Sequence, residues 1–213
     1  MRSPNPPAPT RAARVQVPTP ITVADAKPFM MIGLAEGITL NLAAVQTSGS
    51  ANGYAVASGL GGADWVKGIE NITGSSYADI LTGNAGANTL SGGLGTDRLF
   101  GGIDRVRDTF DFDAILDSRV GTARDLINNF ISGIDKIDLS GIDARTTLGG
   151  DQAFTFNGST AKANAVWFQS ANLDSNARTN EIVIYGDVTG DGRADFEIGL
   201  IGTSSVVAGD FIA

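Results

Sequence analysis

The chain has 213 residues, 42% of them hydrophobic and only 7% aromatic, with 28 glycines and a net charge of −8. It is long enough to bury one or two cores, yet a glycine-rich, aromatic-poor composition argues against an ordinary helical globule and for turns and short strands. The acidic balance argues against nucleic acid or an anionic membrane surface as partner. The sequence contains neither Cys nor His, which excludes a disulfide framework, thiolate metal sites, Ser-His-Asp and Cys-His catalysis and the HExxH zinc motif.

All seven prolines fall in the first 28 residues, with Arg2, Arg11, Arg14 and Lys27 among them. Proline removes backbone donors and blocks helix and sheet interiors, so residues 1–28 are expected to be a disordered Pro-rich linker. The apolar run at 29–45 contains Glu36 and two glycines. It is too short to span a bilayer, so no membrane insertion is expected, and no signal peptide is read there. Residues 29–64 are expected to form a β-solenoid cap over the open end of a stacked core. Within it Ile38, Leu40 and Leu42 alternate with Thr39 and Asn41, the pattern of a half-buried strand.

From Gly74 the chain divides into nine-residue units in phase: GSSYADILT, GNAGANTLS and GGLGTDRLF. Position six holds Asp79, Asn88 and Asp97, and position eight holds Leu81, Leu90 and Leu99. The preceding WVKGIENIT keeps phase with Gly68, Glu70 and Ile72, so residues 65–112 are read as one repeat domain. This order of Gly, Asp and aliphatic residue resembles the calcium-binding RTX nonapeptide, GGxGxDxUx. In such a repeat six residues turn and three form a strand whose aliphatic side chain points inward, two units making one coil. Units one and three then share an edge, and the carboxylates of Asp79 and Asp97 lie about 4.8 Å apart. At an effective dielectric near 20 they repel by about 3.5 kcal/mol. A cation between them removes that cost. Ca²⁺ takes six to eight hard oxygens in flexible geometry, and turns at Gly74, Ser76, Gly92 and Gly95 leave backbone carbonyls free to complete such a set. The fourth unit, GGIDRVRDTF, carries two extra residues before its Asp. With that insertion allowed, Asp108 takes position six, Phe110 takes position eight, and Asp108 stacks over Asn88 on the second edge.

Residues 113–213 read as a β-sandwich-like C-terminal domain. Ile134, Ile137, Leu139 and Ile142 are apolar positions between Gly-Ile-Asp turns. Strands are expected around Phe154 and Phe156, around Trp167 and Phe168, at EIVIYG, and at ADFEIGLIG, where Phe196, Ile198 and Leu200 alternate with Glu197 and Gly199. The last of these is expected to be an edge of the sandwich. Asp135, Asp138 and Asp143 have no ligand-like spacing and are read as solvated or turn-capping. Between the final two strands, GDVTGDGRADF puts Asp187, Thr189, Asp191 and Asp195 at positions one, three, five and nine, with Gly192 at six. That is three quarters of an EF-hand calcium loop. Position twelve is Ile198, so the bidentate Glu is missing and any affinity is weak; a plain hairpin turn is the alternative.

Together, IENITGS, the nonapeptides, GIDKIDLSGIDA, GDQAFTF, GDVTGDGRADFEIGL and the closing GDFIA resemble the C-terminal region of serralysin-type secreted metalloproteases over about residues 37–213. The resemblance implies an all-β fold: a right-handed parallel β-roll filled with Ca²⁺, followed by a β-sandwich carrying an uncleaved type I secretion signal. That signal ends in an acidic residue followed by apolar ones, matched by Asp210, Phe211, Ile212 and Ala213, and its partner is an ABC transporter. A secreted, extracellular, monomeric calcium-binding module follows as the expectation. The family's zinc-binding catalytic domain has no counterpart among these residues, so no enzyme activity is implied. Only two nonapeptides keep Asp in phase at position six, which implies fewer ions than in full-length relatives. An adhesin or surface-layer module would share every calcium feature. A solenoid enzyme acting on polysaccharide would need a basic or Tyr group beside carboxylates, and Tyr54, Tyr77 and Tyr185 share no spacing.

Overall fold

The computed structural model describes residues 21–22, 28–30, 37–43, 55–58, 63–174 and 180–213. Most of the expected linker, 1–20 and 23–27, lies outside them, but Ile21–Thr22 (β1) and Pro28–Met30 (β2) are strands. Each nonapeptide then follows one rule, in which a glycine-rich turn occupies the first six positions and a strand the last three. Asn71–Thr73 (β6), Ile80–Thr82 (β7), Thr89–Ser91 (β8), Arg98–Phe100 (β9) and Thr109–Asp111 (β10) all begin one residue after a position-six side chain. The insertion before Asp108 is absorbed in the turn, so β10 keeps its place.

Alternate strands go to opposite sheets. The six-stranded sheet runs β17-β12-β10-β8-β6-β2, where β12 is Lys136–Asp138 and β17 is Phe211–Ile212. Every neighbour in it is parallel. The eleven-stranded sheet takes in Thr39–Asn41 (β3), Ala55–Ser58 (β4), Ala63–Lys67 (β5), Asp125–Asn128 (β11), Thr155–Phe156 (β13), Ala165–Ser170 (β14), Glu181–Gly186 (β15) and Phe196–Ile201 (β16). Its order is β1-β5-β4-β3-β7-β9-β11-β16-β15-β14-β13. It is parallel from β3 to β16 and antiparallel through β15 and β14.

Two columns of apolar side chains follow from this register. Leu40, Leu81, Leu99, Ile127 and Leu200 are aligned strand by strand in the larger sheet, all fully buried. Ile72, Leu90, Phe110 and Ile137 are aligned in the smaller one, with Phe211 next in line. Because side chains alternate between faces with period two, position eight always points inward. Both columns belong to one core.

The sheets do not break at residue 112. Strands β11 and β12 continue both of them, so residues 113–213 extend the roll's own sheets. The strand expected at an edge, β16, is instead internal, between β11 and β15. Its backbone pairs on both sides, parallel with β11 and antiparallel with β15, and over its face at Gly199 a Cβ would lie 2.6 Å from Leu126 Cδ2 and 2.8 Å from Leu173 Cδ1. Bare backbone there lets these neighbours cover that face.

Candidate metal centre

The position-six side chains form two ladders, one on each edge of the roll. On the first edge Asp79 Oδ1 accepts the Ile38 N–H at 2.6 Å, Asp97 Oδ1 accepts the Asp79 N–H at 2.7 Å, and Asp125 Oδ1 accepts the Asp97 N–H at 2.8 Å. On the second, Asp108 Oδ1 accepts the Asn88 N–H at 2.9 Å and Asp135 Oδ1 accepts the Asp108 N–H at 3.0 Å. Each carboxylate thus reaches back one coil. Asn88 sits below Asp108 as expected, and its amide donates to the Glu70 carbonyl at 3.1 Å while its Oδ1 accepts the Asn84 N–H at 2.8 Å.

The opening glycine of each unit is where the carboxylate folds back. A methyl on Gly92 would lie 2.8 Å from Asp97 Cγ, one on Gly74 3.2 Å from Asp79 Cγ, and one on Gly101 3.0 Å from Asp108 Cγ. The Gly92 and Gly101 carbonyl oxygens point into the cradles of Gly74 and Gly83 in the coil before. Carboxylate and carbonyl oxygens therefore converge around glycines that no side chain could replace. Gly95 belongs to the same packing, with Tyr77 O and Asp97 Oδ1 where a Cβ would stand. Ser76 is exposed at its turn, while its neighbour Ser75 binds Asp79 through its N–H at 2.5 Å and its hydroxyl at 2.9 Å.

Two ladder members escape the nine-residue period. Asp125 is fully buried and Asp135 2% exposed, so of the solvated and turn-capping readings of Asp135 the first is corrected, while its Oδ2 does cap a turn at the Ile131 N–H, 2.7 Å away. Asp138 and Asp143 do cap turns, at Ser140 and at Arg145 and Gln152. The signal that finds the missing pair is acid-x-apolar: Asp125 precedes Ile127, and Asp135 precedes Ile137, as Asp79 precedes Leu81.

Ladder carboxylates are poorly served in the folded chain. Asp97 Oδ2 and Asp125 Oδ2 are buried and have no hydrogen-bond partner. A buried oxygen without a partner costs about 1–3 kcal/mol, and more when charged. Burial pushes the Asp97 carboxyl up to about 8, and the neighbouring Asp125 charge adds to the rise. Burial also raises Asp125 to about 7, with Asp117 and Asp79 contributing, and Asp108 to about 7, with Asp135 and Asp104 contributing. Backbone N–H donors favour the charged form at each but do not reverse the shift. Asp117 and Asp135 are raised for the same first reason.

A pH dependence follows. These groups hold protons more tightly folded than unfolded, where the ordinary value is 3.8. Their contribution to stability without metal is therefore complete below about pH 4 and lost as pH rises through about 7–8. In chelator the far-UV strand signal should grow on acidification from about pH 8 to about pH 5. With calcium the same titration should run the other way, affinity weakening as the ligands protonate.

The EF-hand-like loop is organised differently. Asp187 Oδ1 accepts the Gly190 N–H at 2.7 Å, its Oδ2 accepts the Gly192 N–H at 2.6 Å, and Asp195 Oδ2 accepts the Val188 and Thr189 N–H groups at 2.8 and 3.1 Å. Thr189 donates its hydroxyl to both acids, and Asp191 accepts the Arg193 N–H at the exposed tip. Burial would raise the Asp187 carboxyl, but these donors hold it below the usual value. The loop is a self-knit turn between β15 and β16, and none of the partnerless oxygens lies in it.

Oxygen donors with unmet charge suit a hard divalent cation. Among the described residues no three acidic side chains are grouped to hold a metal by themselves. A cation at the first edge would draw on two carboxylates and the carbonyls of the turns. At the C-terminal end, Asp210 is fully buried, Phe211 is half-buried, and Ile212 and Ala213 are exposed. Among the described residues no helix is long and apolar enough to cross a membrane.

A family model described as the peptidase M10 serralysin C terminal matches residues 54–213. The R3 subunit of the AlgE6 mannuronan C5-epimerase from Azotobacter vinelandii, solved in solution, is similar at 23% identity and a TM-score of 0.31. That likeness covers 67% of this chain and 76% of the subunit. No curated protein sequence is similar enough to match.

Proposed function

The chain belongs to the family of peptidase M10 serralysin C-terminal regions, and from that premise we propose that it is a non-catalytic calcium-binding module of a secreted protein. Its ladders take up Ca²⁺ outside the cell, and residues 210–213 serve as a type I secretion signal read by an ABC transporter. The observation that carries the reading is the pair of buried, partnerless oxygens, Asp97 Oδ2 and Asp125 Oδ2.

Asp79, Asp97 and Asp125 would hold ions on the first edge and Asp108 and Asp135 on the second, with turn carbonyls as further ligands. Bound calcium supplies positive charge where the stacked carboxylates repel and links ion binding to folding free energy. In the low calcium of the cytosol the carboxylates oppose closure of the coils, leaving the chain loose enough to be exported. At the roughly millimolar calcium outside, sites of the weak extracellular class fill. Five ladder positions bear Asp where in-phase nonapeptides account for two, which offsets the small number of such repeats.

Circular dichroism at neutral pH tests this. With calcium the protein should give a strand spectrum; excess EGTA should abolish most of it, and added calcium should restore it. A fully folded spectrum that EGTA leaves unchanged overturns the proposal.

A further inference from the structure

The turn at 131–135 faces two ways. On one side Asp135 enters the second ladder, its Oδ1 on the Asp108 N–H at 3.0 Å and its Oδ2 on the Ile131 N–H at 2.7 Å. On the other, Asp210 Oδ1 accepts the Gly133 N–H at 2.7 Å and its Oδ2 accepts the Ser132 hydroxyl at 2.6 Å. Asp210 also takes the Val207 N–H at 2.9 Å, and Lys136 donates to the Gly209 carbonyl. One five-residue turn therefore carries the last rung of the ladder and the anchor for the end of the chain.

What the anchor holds is a strand. Residues Phe211–Ile212 pair with β12 through Ile137 and Asp138, and the Leu139 N–H donates to the Ile212 carbonyl at 2.7 Å. The Phe211 ring stacks on Phe156 at 5.4 Å, and Phe156 stacks on Phe168 at 6.3 Å. Strand β17 covers the outer edge of the smaller sheet. Once it is docked, Asp210 has no exposed surface and the Phe211 backbone is in a ladder.

We propose that residues 210–212 are a strap held down by the second ladder: cations at Asp108 and Asp135 fix the 131–135 turn, and the fixed turn buries Asp210 and docks β17. This rests on the calcium reading above. It adds that Asp210 and the Phe211 backbone, the acidic start of the segment a transporter would read, are free only before the ladder fills, so the roll withdraws that part of its export signal on folding while Ile212 and Ala213 stay exposed. The strand has only two residues, and besides the packing of Phe211 against the core its hold comes from the bonds of Asp210 to Ser132 and Gly133. Its docking depends on a turn whose other face is the ion ladder.

Linkage makes the proposal testable from either end, because coupling between two sites is reciprocal. If ions tie down the strap, loosening the strap must weaken the ions. Calcium titrations followed by circular dichroism would compare wild type with Asp210→Asn and Ser132→Ala. The expected result is a calcium midpoint raised about fivefold or more for Asp210→Asn, and by a smaller factor in the same direction for Ser132→Ala. Arg193→Ala, at the exposed tip of the loop between β15 and β16, should leave it in place. Should Asp210→Asn not fold even in saturating calcium, Ser132→Ala decides, since it removes a single hydroxyl. Hydrogen exchange of wild type gives the second readout: amides of 207–213 should slow at least tenfold on adding calcium. Variant midpoints that coincide with wild type, or exchange at 207–213 that ignores calcium while the rest of the roll becomes protected, overturn the strap and leave the calcium reading standing. A wild type with no calcium-dependent transition overturns both.

Discussion

Asp97→Asn should move the protein in opposite directions with and without calcium. In chelator the variant should fold at a lower concentration of a stabilising osmolyte than wild type; in calcium it should need more of the metal to fold. The first half follows from charge. Asp97 is fully buried between Asp79 and Asp125 in the first ladder, where burial and the Asp125 charge raise its carboxyl to about 8, so at neutral pH the metal-free fold must either carry a repelling charge or take up a proton, and an amide needs neither. An amide keeps the bond to the Asp79 N–H and removes the charge. Its nitrogen takes the place of Oδ2, which already lacks a partner, so the unmet hydrogen bond is common to both and the relief of charge leaves a net gain of at least about 1 kcal/mol. The second ladder already contains this arrangement in Asn88, whose amide finds the Glu70 carbonyl. The second half follows because a neutral amide is a poor substitute for a carboxylate on a divalent cation. Losing an ion present at a hundred times its dissociation constant costs about 2.7 kcal/mol. A side chain that only packed could not change sign between the two conditions.

Leu99→Ala should lower stability in both. Leu99 is fully buried, aligned between Leu81 and Ile127 in the apolar column of the larger sheet. Truncating such a residue costs about 2–5 kcal/mol, depending on how far the walls collapse. The stacked coils hold each other at strand spacing, so collapse along the roll is resisted and the upper part of that range applies. In calcium the urea midpoint should fall accordingly, and in chelator more osmolyte should be needed. Equal signs here, against opposite signs at Asp97, separate the apolar core from the charged edges as two sources of stability in the same nine residues.

The nine-residue phase made the roll legible because it specifies turn, ladder and core at once. Gly at position one admits the carboxylate, Asp or Asn at six joins the ladder, and the aliphatic at eight enters the column. Asp79, Asn88, Asp97 and, past its insertion, Asp108 were readable for that reason. Asp125 and Asp135 were not, because they follow their partners by 28 and 27 residues where the repeats allow 18. The loops between them carry no repeat, and only the acid-x-apolar triplet survives as a signal. The internal place of β16 was hidden because alternation reports which face of a strand is buried and not how many of its edges are paired. In GDVTGDGRADF, ligand-like spacing and turn geometry call for the same Asp and Gly residues, so the pattern by itself does not separate a calcium loop from a plain turn. The burial of Asp210 depends on Ser132 and Gly133, 78 and 77 residues away, a distance over which local pattern is silent.

Diffraction from crystals grown in calcium, recorded at a wavelength where calcium scatters anomalously, bears most directly on the charged edges. A peak about 2.3–2.6 Å from Asp97 Oδ2, shared with Asp79 or Asp125, is the expected result. Density for the folded roll with no anomalous peak beside Asp97 or Asp125 would contradict it, because the buried carboxylates would then be tolerated without a cation.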